Sequence, residues 1–386
     1  MQKIITLRLP KKFLLIIALL QMQFIKVKAQ ASLPRPDHVV ILIMENHGYE
    51  DIIGNASAPY INSLAQENAL LTGSYGMVHP SQPNYIMLFS GSNQGVTNNN
   101  VPAGIPWNTP NLGASLLQQG LTFRAYSDGL PSVGFMGTSS GAYQKKHAPW
   151  TNWQGTGNNQ IPSSKHRPFT DFPTNFSQLP TVSFVVPDQN HDMHDGTVAE
   201  GDAWVENNLS AYINWSKTHN SLFILTFDED DGDNLNHVVT LFAGEMIEPG
   251  SYSTTHNHYD LLRTVEEIYE LPYAGNSATA TTITEVWKTD NTTGISEASQ
   301  NFSLTVTPNP VSAHAQIQVS GVKDFNQCTF IIYDVLGNVV KDLSQELRLH
   351  HGNFVFYREA TRNGIYFYRF TNRKEKVQTG KIVISD

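Results

Sequence analysis

Three apolar runs that end abruptly beside acidic residues constrain the fold of this chain more than any other feature. Residues 39–44, 181–186 and 221–227 are largely apolar, and an acidic residue follows each run within two positions. Runs of this kind are typical of strands that are buried on both faces, as in a parallel sheet. The chain therefore needs layers of helix on both sides of such a sheet.

Helical patterns alternate with these runs. Apolar residues recur at helical spacing in 59–68, 111–119, 204–213 and 259–269, and Gly120 and Pro272 supply stop signals. Residues 121–126 and 237–242 are predicted as further strands. The alternation predicts a layered α/β domain with a largely parallel sheet.

The two ends of the chain differ from this domain. Residues 1–29 combine a basic start, a short apolar run and Val27-Lys28-Ala29, which predicts a signal peptide. The alternative is an uncleaved anchor, although the apolar run is short for a membrane span. Residues 30–287 form the predicted catalytic domain, 288–300 are a polar linker, and 301–386 carry short strands typical of a small all-β sandwich. No later stretch is apolar enough for a span, so we expect an exported, soluble protein.

Composition excludes some functions. The formal net charge is −9, which argues against a protein that coats nucleic acid or anionic membranes. Cys328 is the single cysteine, so no disulfide can form within the chain. Stability must therefore come from the core, with a contribution from any bound metal.

Polar residues gather where the predicted strands end. Because ligands bind at the carboxyl ends of strands in α/β sheets, we expect these residues to converge. Carboxylates, an amide and imidazoles together suit one or two divalent cations. The candidates are Glu45, Asn46, Asp188, Asp228 and Glu229, followed by His191, His194, His237, His256 and His258.

Ser81 lies in the stretch HPSQPNYIMLFSG, at residues 79–91, where a turn leads into a helix that Gly91 ends. In a first helical turn, free backbone N–H groups and the helix dipole favour an anion. A serine there suits a nucleophile that attacks phosphorus and carries the phosphoryl group. Asn84, one turn later, is placed to donate its amide to a phosphate oxygen. The alternative is an ordinary N-cap serine.

Other polar residues have a simpler interpretation. The acids after strands can be turn or capping residues, and His191 to Asp195 can be a solvated loop. His147 and His166 lie in the irregular segment 131–175, so we predict that they are surface residues. Asp230 and its acidic neighbours can form a charged turn.

Five motifs in order, however, resemble one family. The motifs MENHGYED, HPSQPNYIMLFSG, VPDQNHDMHD, TFDEDDGDNLNH and THNHYDLLRTVEEIYELP are similar to those of the phosphoesterase family of bacterial acid phosphatases and phospholipases C, within the alkaline phosphatase superfamily. The resemblance covers roughly residues 37–273. It implies a doubly wound α/β fold of alkaline phosphatase-like type and a metal-dependent phosphate-ester hydrolase.

The resemblance also implies roles for particular residues. Glu45 with Asn46, and Asp228 with Glu229, match two pairs of metal ligands, while Ser81 matches a nucleophile that is also a ligand. Asp188, His191 and His258 resemble ligands of the superfamily's other metal position, with His194 as the alternative to His191. His237 matches a histidine that contacts phosphate or protonates the leaving group. The metal is Mn, Mg, Ca, Zn or Fe, and one ion is as plausible as two, because the set is rich in oxygen.

The segments TPNPVSAHAQIQV, IIYDVLGNVVKDL and NGIYFYRF resemble the C-terminal sorting domain of the type IX secretion system. This resemblance implies contact with that secretion machinery and export to the cell surface or medium; the alternative is a carbohydrate-binding or adhesive module. The sequence thus predicts a secreted phosphomonoesterase that acts through a phosphoserine. The alternatives are a phosphodiesterase or phospholipase C that uses the same site, and a surface binding protein with this fold but no turnover.

Overall fold

The computed structural model describes residues 33–232, 235–288, 303–322, 325–326, 328–372 and 376–386. The predicted signal peptide and nearly all of the predicted linker lie outside these residues. The chain forms two compact units that divide between Lys288 and Thr289. Among the described residues, no helix combines the length and the apolar character that a membrane crossing requires.

The first unit contains short strands and helices in alternation. Its strands are β1 His38–Met44, β2 Ala69–Leu71, β3 Ser74–Tyr75, β4 Phe123–Ser127, β5 Ser139–Ser140, β6 Tyr143–Gln144, β7 His166–Pro168, β8 Val182–Val186, β9 Ser221–Phe227, β10 Thr240–Ala243, β11 Gly250–Tyr252 and β12 His256–Asn257. Its α-helices are α1 Tyr49–Ile52, α2 Pro59–Glu67, α3 Ser81–Ser90, α4 Leu112–Gln118, α5 Val198–Ser216 and α6 His258–Ile268. Single 3₁₀ turns occupy Lys145–His147, Pro149–Trp153, Ser163–Lys165, Phe169–Asp171, Phe176–Gln178 and Gly275–Thr279.

The main sheet is largely parallel, as the sequence predicted. Its strand order is β11-β2-β10-β9-β1-β8-β4-β7. The five strands from β9 to β7 are all parallel, whereas β10 runs antiparallel to both β9 and β2. No helix is described between β9 and β10, whereas a parallel neighbour is usually reached through a crossover helix. The edge at which β1, β8 and β9 end is therefore shared by several acidic loops.

Helices cover both faces of the sheet. Val39, Ile41 and Ile43 of β1 pack into the core cluster that contains residues of α3, α4 and α6. The alternate residues Val40 and Leu42 pack into a second cluster, with residues of α2 and α5. Successive side chains of a strand point to opposite faces, so both sides of β1 are buried. This three-layer arrangement confirms the α/β fold.

Helix α3 ends where the sequence predicted. Gly91 has φ +67°, which is the left-handed conformation that often ends a helix. A Cβ atom at Gly91 would lie 1.8 Å from the Ala274 carbonyl oxygen, so only glycine fits this close approach. The contact fixes the far end of α3 against the segment after α6, and thereby fixes where Ser81 begins the helix.

The described residues of the second unit are all-β apart from one short helix, α7 Ser344–Leu349. Strands β13 Ser303–Thr307, β14 His314–Ser320 and β17 Asn353–Tyr357 form one antiparallel sheet. Strands β15 Cys328–Tyr333, β16 Val339–Asp342, β18 Gly364–Asn372 and β19 Lys376–Ile384 form the other. Apolar side chains of both sheets share one core. The predicted small all-β sandwich is confirmed, although α7 was not predicted.

Candidate active site

Ser81 is the first residue of α3 and its side chain is buried. Its Oγ lies 2.9 Å from Glu45 Oε2 and 3.0 Å from Glu229 Oε1. A hydroxyl has one hydrogen, so Ser81 can donate to only one of these carboxyl groups at a time. The structure thus places the predicted nucleophile between two of the predicted acids, one of which follows β1 and the other β9.

Parallel pairing brings these acids together. Met44 of β1 lies opposite Phe227 of β9, so Glu45 and Asp228 are the next residues on adjacent strands. The Asn46 N–H group donates to Asp228 Oδ1 at 3.2 Å. Asn46 has φ +56°, a left-handed conformation that asparagine tolerates better than most residues. The predicted residues Glu45, Asn46, Asp228 and Glu229 therefore lie together at the ends of β1 and β9, and Glu45 and Glu229 contact Ser81.

The electrostatics of this set fit a bound cation. Burial raises the pKa of Asp228 well above its usual range, and the neighbouring Glu45 and Glu229 carboxylates raise it further. Burial also raises the pKa of Glu229, again with a contribution from Glu45. Within the described part of the chain, Asp228 Oδ2 is buried and accepts no hydrogen bond. A hard divalent cation neutralises buried carboxylates that repel each other and satisfies a buried oxygen that lacks a donor.

His147 is the main residue that sequence reasoning placed wrongly. It is 2% exposed, and its Nε2 lies 3.0 Å from Glu45 Oε1, while its Nδ1 lies 3.2 Å from Asp192 Oδ2. Its ring also stacks on Tyr85 of α3, with centroids 5.1 Å apart. Burial raises the pKa of Glu45, but the charge and hydrogen bond of His147, the Tyr85 hydroxyl and the Lys146 charge together outweigh burial and lower this pKa to about 2.

The prediction that His147 and His166 lie on the surface is therefore wrong, since His166 is also buried. Both lie in the irregular segment 131–175, whose short elements fold back onto the core without a periodic sequence signal. Asp192 was missed as well; the adjacent Met193 has φ +82°, which is rare for a bulky side chain and is typical of strained functional loops.

Asn84 is fully buried and held on both sides of its amide. Its Oδ1 accepts the N–H groups of Met77 and Val78, and its Nδ2 donates to the Val78 carbonyl at 2.6 Å. The same Nδ2 lies 3.2 Å from Glu229 Oε2, so one N–H is directed towards the acids around Ser81. This orientation fits the predicted donor role, which stays a prediction.

The start of α3 offers fewer free N–H groups than the sequence predicted. The Gln82 N–H group donates to Asn99 Oδ1 at 3.0 Å, and Pro83 has no N–H group. The helix dipole still favours an anion beside Ser81, but most of the charge compensation must come from side chains or metal.

Asp188 and His191 lie together, but with a third residue that was not predicted. His191 Nδ1 is 2.8 Å from Asp188 Oδ1 and 2.9 Å from Asp128 Oδ2, which follows β4. These three residues could hold a metal ion. His194 instead contacts Asp195 and Lys146. The geometry thus favours His191 over His194 as the partner of Asp188.

The remaining predicted histidines have other contacts. His258 is buried, and its Nε2 donates to the Asp228 backbone carbonyl at 2.6 Å, so it supports that loop. His237 lies between the Thr72 carbonyl and Glu50 and stacks on Tyr49. Its role towards phosphate stays a prediction. His79 was not a candidate, yet its Nδ1 lies 3.0 Å from Glu229 Oε2 and its Nε2 lies 3.2 Å from Asp230 Oδ1.

The chain is similar to known phosphatases and to a secretion sorting domain. The model of the "Phosphoesterase family" matches residues 55–272, and the model of the "Secretion system C-terminal sorting domain" matches residues 305–385. A phosphatidylinositol-3-phosphatase of Mycobacterium tuberculosis is 46% identical over 261 residues, which cover 67% of this chain and 85% of that protein. A probable acid phosphatase of Kluyveromyces lactis is 27% identical, over 67% of this chain and 66% of that protein. An acid phosphatase of Aspergillus fumigatus is 28% identical, over 63% of this chain and 57% of that protein.

Among solved structures, a Vibrio parahaemolyticus protein of the alkaline phosphatase superfamily is similar, with a TM-score of 0.44 and 12% identity over 90% of this chain and 98% of that chain. The family match spans more than half of the chain, and the acids and serine around the start of α3 lie within or beside it. Together with the phosphatase relatives, this establishes a phosphoric ester hydrolase: the chain belongs to the Phosphoesterase family.

Proposed function

We propose that this protein is a secreted, metal-dependent phosphatase that hydrolyses phosphate monoesters through a phosphoserine at Ser81. The observation that carries the proposal is the placement of the Ser81 hydroxyl between Glu45 and Glu229, at the first residue of a helix. The curated relatives at 46% and 27–28% identity are named phosphatases, which supports a monoester as the substrate.

The proposed reaction has two steps. Ser81 Oγ forms a bond to phosphorus, the bond from phosphorus to the ester oxygen breaks, and the Ser81 proton passes to the flanking carboxylate. Water then attacks the phosphoserine, which releases phosphate and restores the Ser81 hydroxyl. The departing alkoxide takes its proton from water, or from His237, the histidine for which the family resemblance implies this role.

Glu45, Asn46, Asp228, Glu229 and Ser81 are the residues that would hold a divalent cation. Such a cation lowers the pKa of a bound hydroxyl and neutralises phosphate charge. The buried Asp228 Oδ2, which accepts no hydrogen bond within the described residues, supports this assignment. The roles of the chain's own groups follow: Asn84 holds the loop at residues 77–78 and donates towards the acids, while His147 orients Glu45.

The test compares Ser81→Ala and Asn84→Ala with the unmodified chain on an aryl phosphate monoester. We expect kcat to fall at least about 10³-fold for Ser81→Ala and about 10²–10³-fold for Asn84→Ala. Acid-quenched wild-type protein should carry phosphate on the peptide that contains Ser81, as seen by mass spectrometry. If Ser81 were only a helix cap, its replacement would cost about 1 kcal/mol of stability and leave turnover nearly intact.

A diester in the same assay separates the alternative. Faster cleavage of a phosphodiester than of the monoester would replace the phosphatase proposal with a phosphodiesterase that uses the same serine. The sorting-domain match at residues 305–385 supports export through the type IX secretion system to the cell surface or medium.

A further inference from the structure

A cavity of about 280 Å³ lies beside the start of α3 and is separate from the acids that hold Ser81. Gln82, the residue after Ser81, forms part of its lining, and Lys146, the residue before His147, forms another part. Ser81 and His147, which precede and follow these two lining residues in the chain, both belong to the candidate active site, because His147 contacts Glu45 and Glu45 contacts Ser81. The cavity is therefore lined by the direct sequence neighbours of two active-site residues.

One wall of the cavity is fixed to the residue after the nucleophile. Gln82 Nε2 donates to the carbonyl groups of Asn98 and Asn100 at 2.7 and 2.8 Å. The Gln82 backbone N–H donates to Asn99 Oδ1 at 3.0 Å. These three hydrogen bonds hold residues 98–100 against the first turn of α3. The loop that contains residues 98–100 is thus anchored to the first turn of α3.

The opposite wall comes from the irregular segment. The Lys145 N–H group donates to the Thr138 carbonyl at 2.9 Å, which ties the strand pair β5–β6 to the turn that carries His147. Thr138, Gln144 and Lys146 line this side. Both walls are therefore anchored to residues next to active-site groups, and their spacing is set before any ligand binds.

The lining is polar and lacks acidic groups. Amides and a hydroxyl line it, none of its residues is acidic, and Val101 supplies a small apolar part. Lys146 Nζ lies 3.2 Å from His194 Nε2, and within the described residues it forms no ion pair with a carboxylate. The volume is slightly below that of usual small-ligand pockets, roughly 300 Å³ and above. Such a cavity suits a small polyhydroxylated group, with an electron-rich oxygen near Lys146.

We propose that this cavity, defined by Asn99, Thr138, Gln144 and Lys146, binds the alcohol portion of the substrate and selects phosphate esters of small polyols or sugars. This inference rests on the proposed function, since the ester bond is placed at Ser81. The amides and Thr138 hydrogen-bond to hydroxyl groups of the leaving alcohol. Lys146 donates to the oxygen nearest the phosphate. An aryl or alkyl leaving group makes none of these contacts.

The experiment compares the full chain with Lys146→Met and with the double variant Thr138→Val/Gln144→Leu. The substrates are a sugar monophosphate and 4-nitrophenyl phosphate, and the readout is the ratio of their kcat/KM values. Each lost hydrogen bond should lower this ratio about tenfold, and loss of the Lys146 charge should lower it by about 10–100-fold. Lys217→Met is the matched control and should not change the ratio. Lys217 directly follows α5 and pairs with Glu67, so it does not line the cavity.

Binding gives a second readout that does not depend on turnover. In a Ser81→Ala background, calorimetry should show weaker binding of the sugar monophosphate in the double variant, while inorganic phosphate binds with unchanged affinity. Equal losses for both ligands, or equal falls of kcat/KM on both esters, would overturn the subsite assignment. Hydrolysis of neither ester by the unmodified chain would instead reject the proposed function, so the two failures are distinguishable.

Discussion

One buried carboxyl group, Glu266 of α6, should contribute strongly to the pH dependence of the free energy of unfolding. Its side chain is 1% exposed, its Oε1 accepts the Ala274 N–H group at 2.9 Å, and its Oε2 accepts the Ser277 hydroxyl at 2.5 Å. Burial raises its pKa from 4.5 to about 7, although these two hydrogen bonds oppose the shift. The folded state therefore keeps a proton that the unfolded state releases.

The sign and size of the effect follow from this difference. Below about pH 4.5 the group is protonated in both states, so its contribution to stability is fully present. As the pH rises towards 7, only the unfolded chain ionises, and the free energy of unfolding falls; above pH 7 the loss is complete. The 2.5-unit difference between 4.5 and about 7 corresponds to a loss of about 3 kcal/mol.

Glu266→Gln should remove this loss. Glutamine stays neutral and can still accept the Ala274 N–H group. Its NH₂ group can donate to the Ser277 hydroxyl oxygen, whose hydrogen is then available for the Ala274 carbonyl. We expect the variant to be more stable than the unmodified chain at pH 8, by up to about 3 kcal/mol, and similar or less stable at pH 5.

Urea unfolding followed by tryptophan fluorescence measures this, because all six tryptophans lie before Lys288 and report on the first unit alone. Glu267→Gln is the matched control, since Glu267 is the adjacent, partly exposed carboxylate and pairs with Arg263. Parallel pH profiles for the unmodified chain and Glu266→Gln would refute the reasoning.

Three further changes test the site and the organisation of the chain. A chelator should abolish hydrolysis and a divalent cation should restore it, and full activity in metal-free protein would contradict the proposed mechanism. In a metal titration, Asp228→Asn should weaken metal affinity by at least about 100-fold. His147→Gln should lower kcat about 10–100-fold because Glu45 loses the group that orients it, whereas an unchanged kcat would limit His147 to a packing role. Truncation after Trp287 should leave a folded and active first unit but prevent export in the native host, and normal export of the truncated chain would reject the sorting assignment.

Much of the fold was predictable because the signals were local. The apolar runs identified β1, β8 and β9 as buried strands, and the glycine at position 91 identified the end of α3. Glu45 and Asp228 were predictable as neighbours because parallel strands end at one edge of a sheet. Asp128 directly follows β4, which ends at Ser127. It was overlooked because the strand predicted from the sequence ended at Tyr126, so Asp128 was not the next residue after it.

The rest depended on contacts between distant residues. His147 lies 102 positions from Glu45 and comes from a 3₁₀ turn, where no periodic pattern distinguishes a buried face from an exposed one. The hydrogen bonds from Gln82 to residues 98–100, which hold this loop beside α3, also had no periodic signal in the sequence. Burial in these segments is decided by tertiary packing, which single-sequence patterns do not contain.

The missed histidine also changes how the site works. Three buried carboxyl groups near one hydroxyl repel each other, and the fold compensates them unequally: His147 lowers the pKa of Glu45, while burial and its neighbours raise the pKa of Glu229. Ser81 therefore lies between a carboxylate that favours the charged form and a carboxyl group that favours the proton. Paired groups whose environments shift their pKa values in opposite directions are a recurrent mark of acid–base function. The sequence motifs predicted the acids themselves, but they did not predict that the pKa values of Glu45 and Glu229 shift in opposite directions.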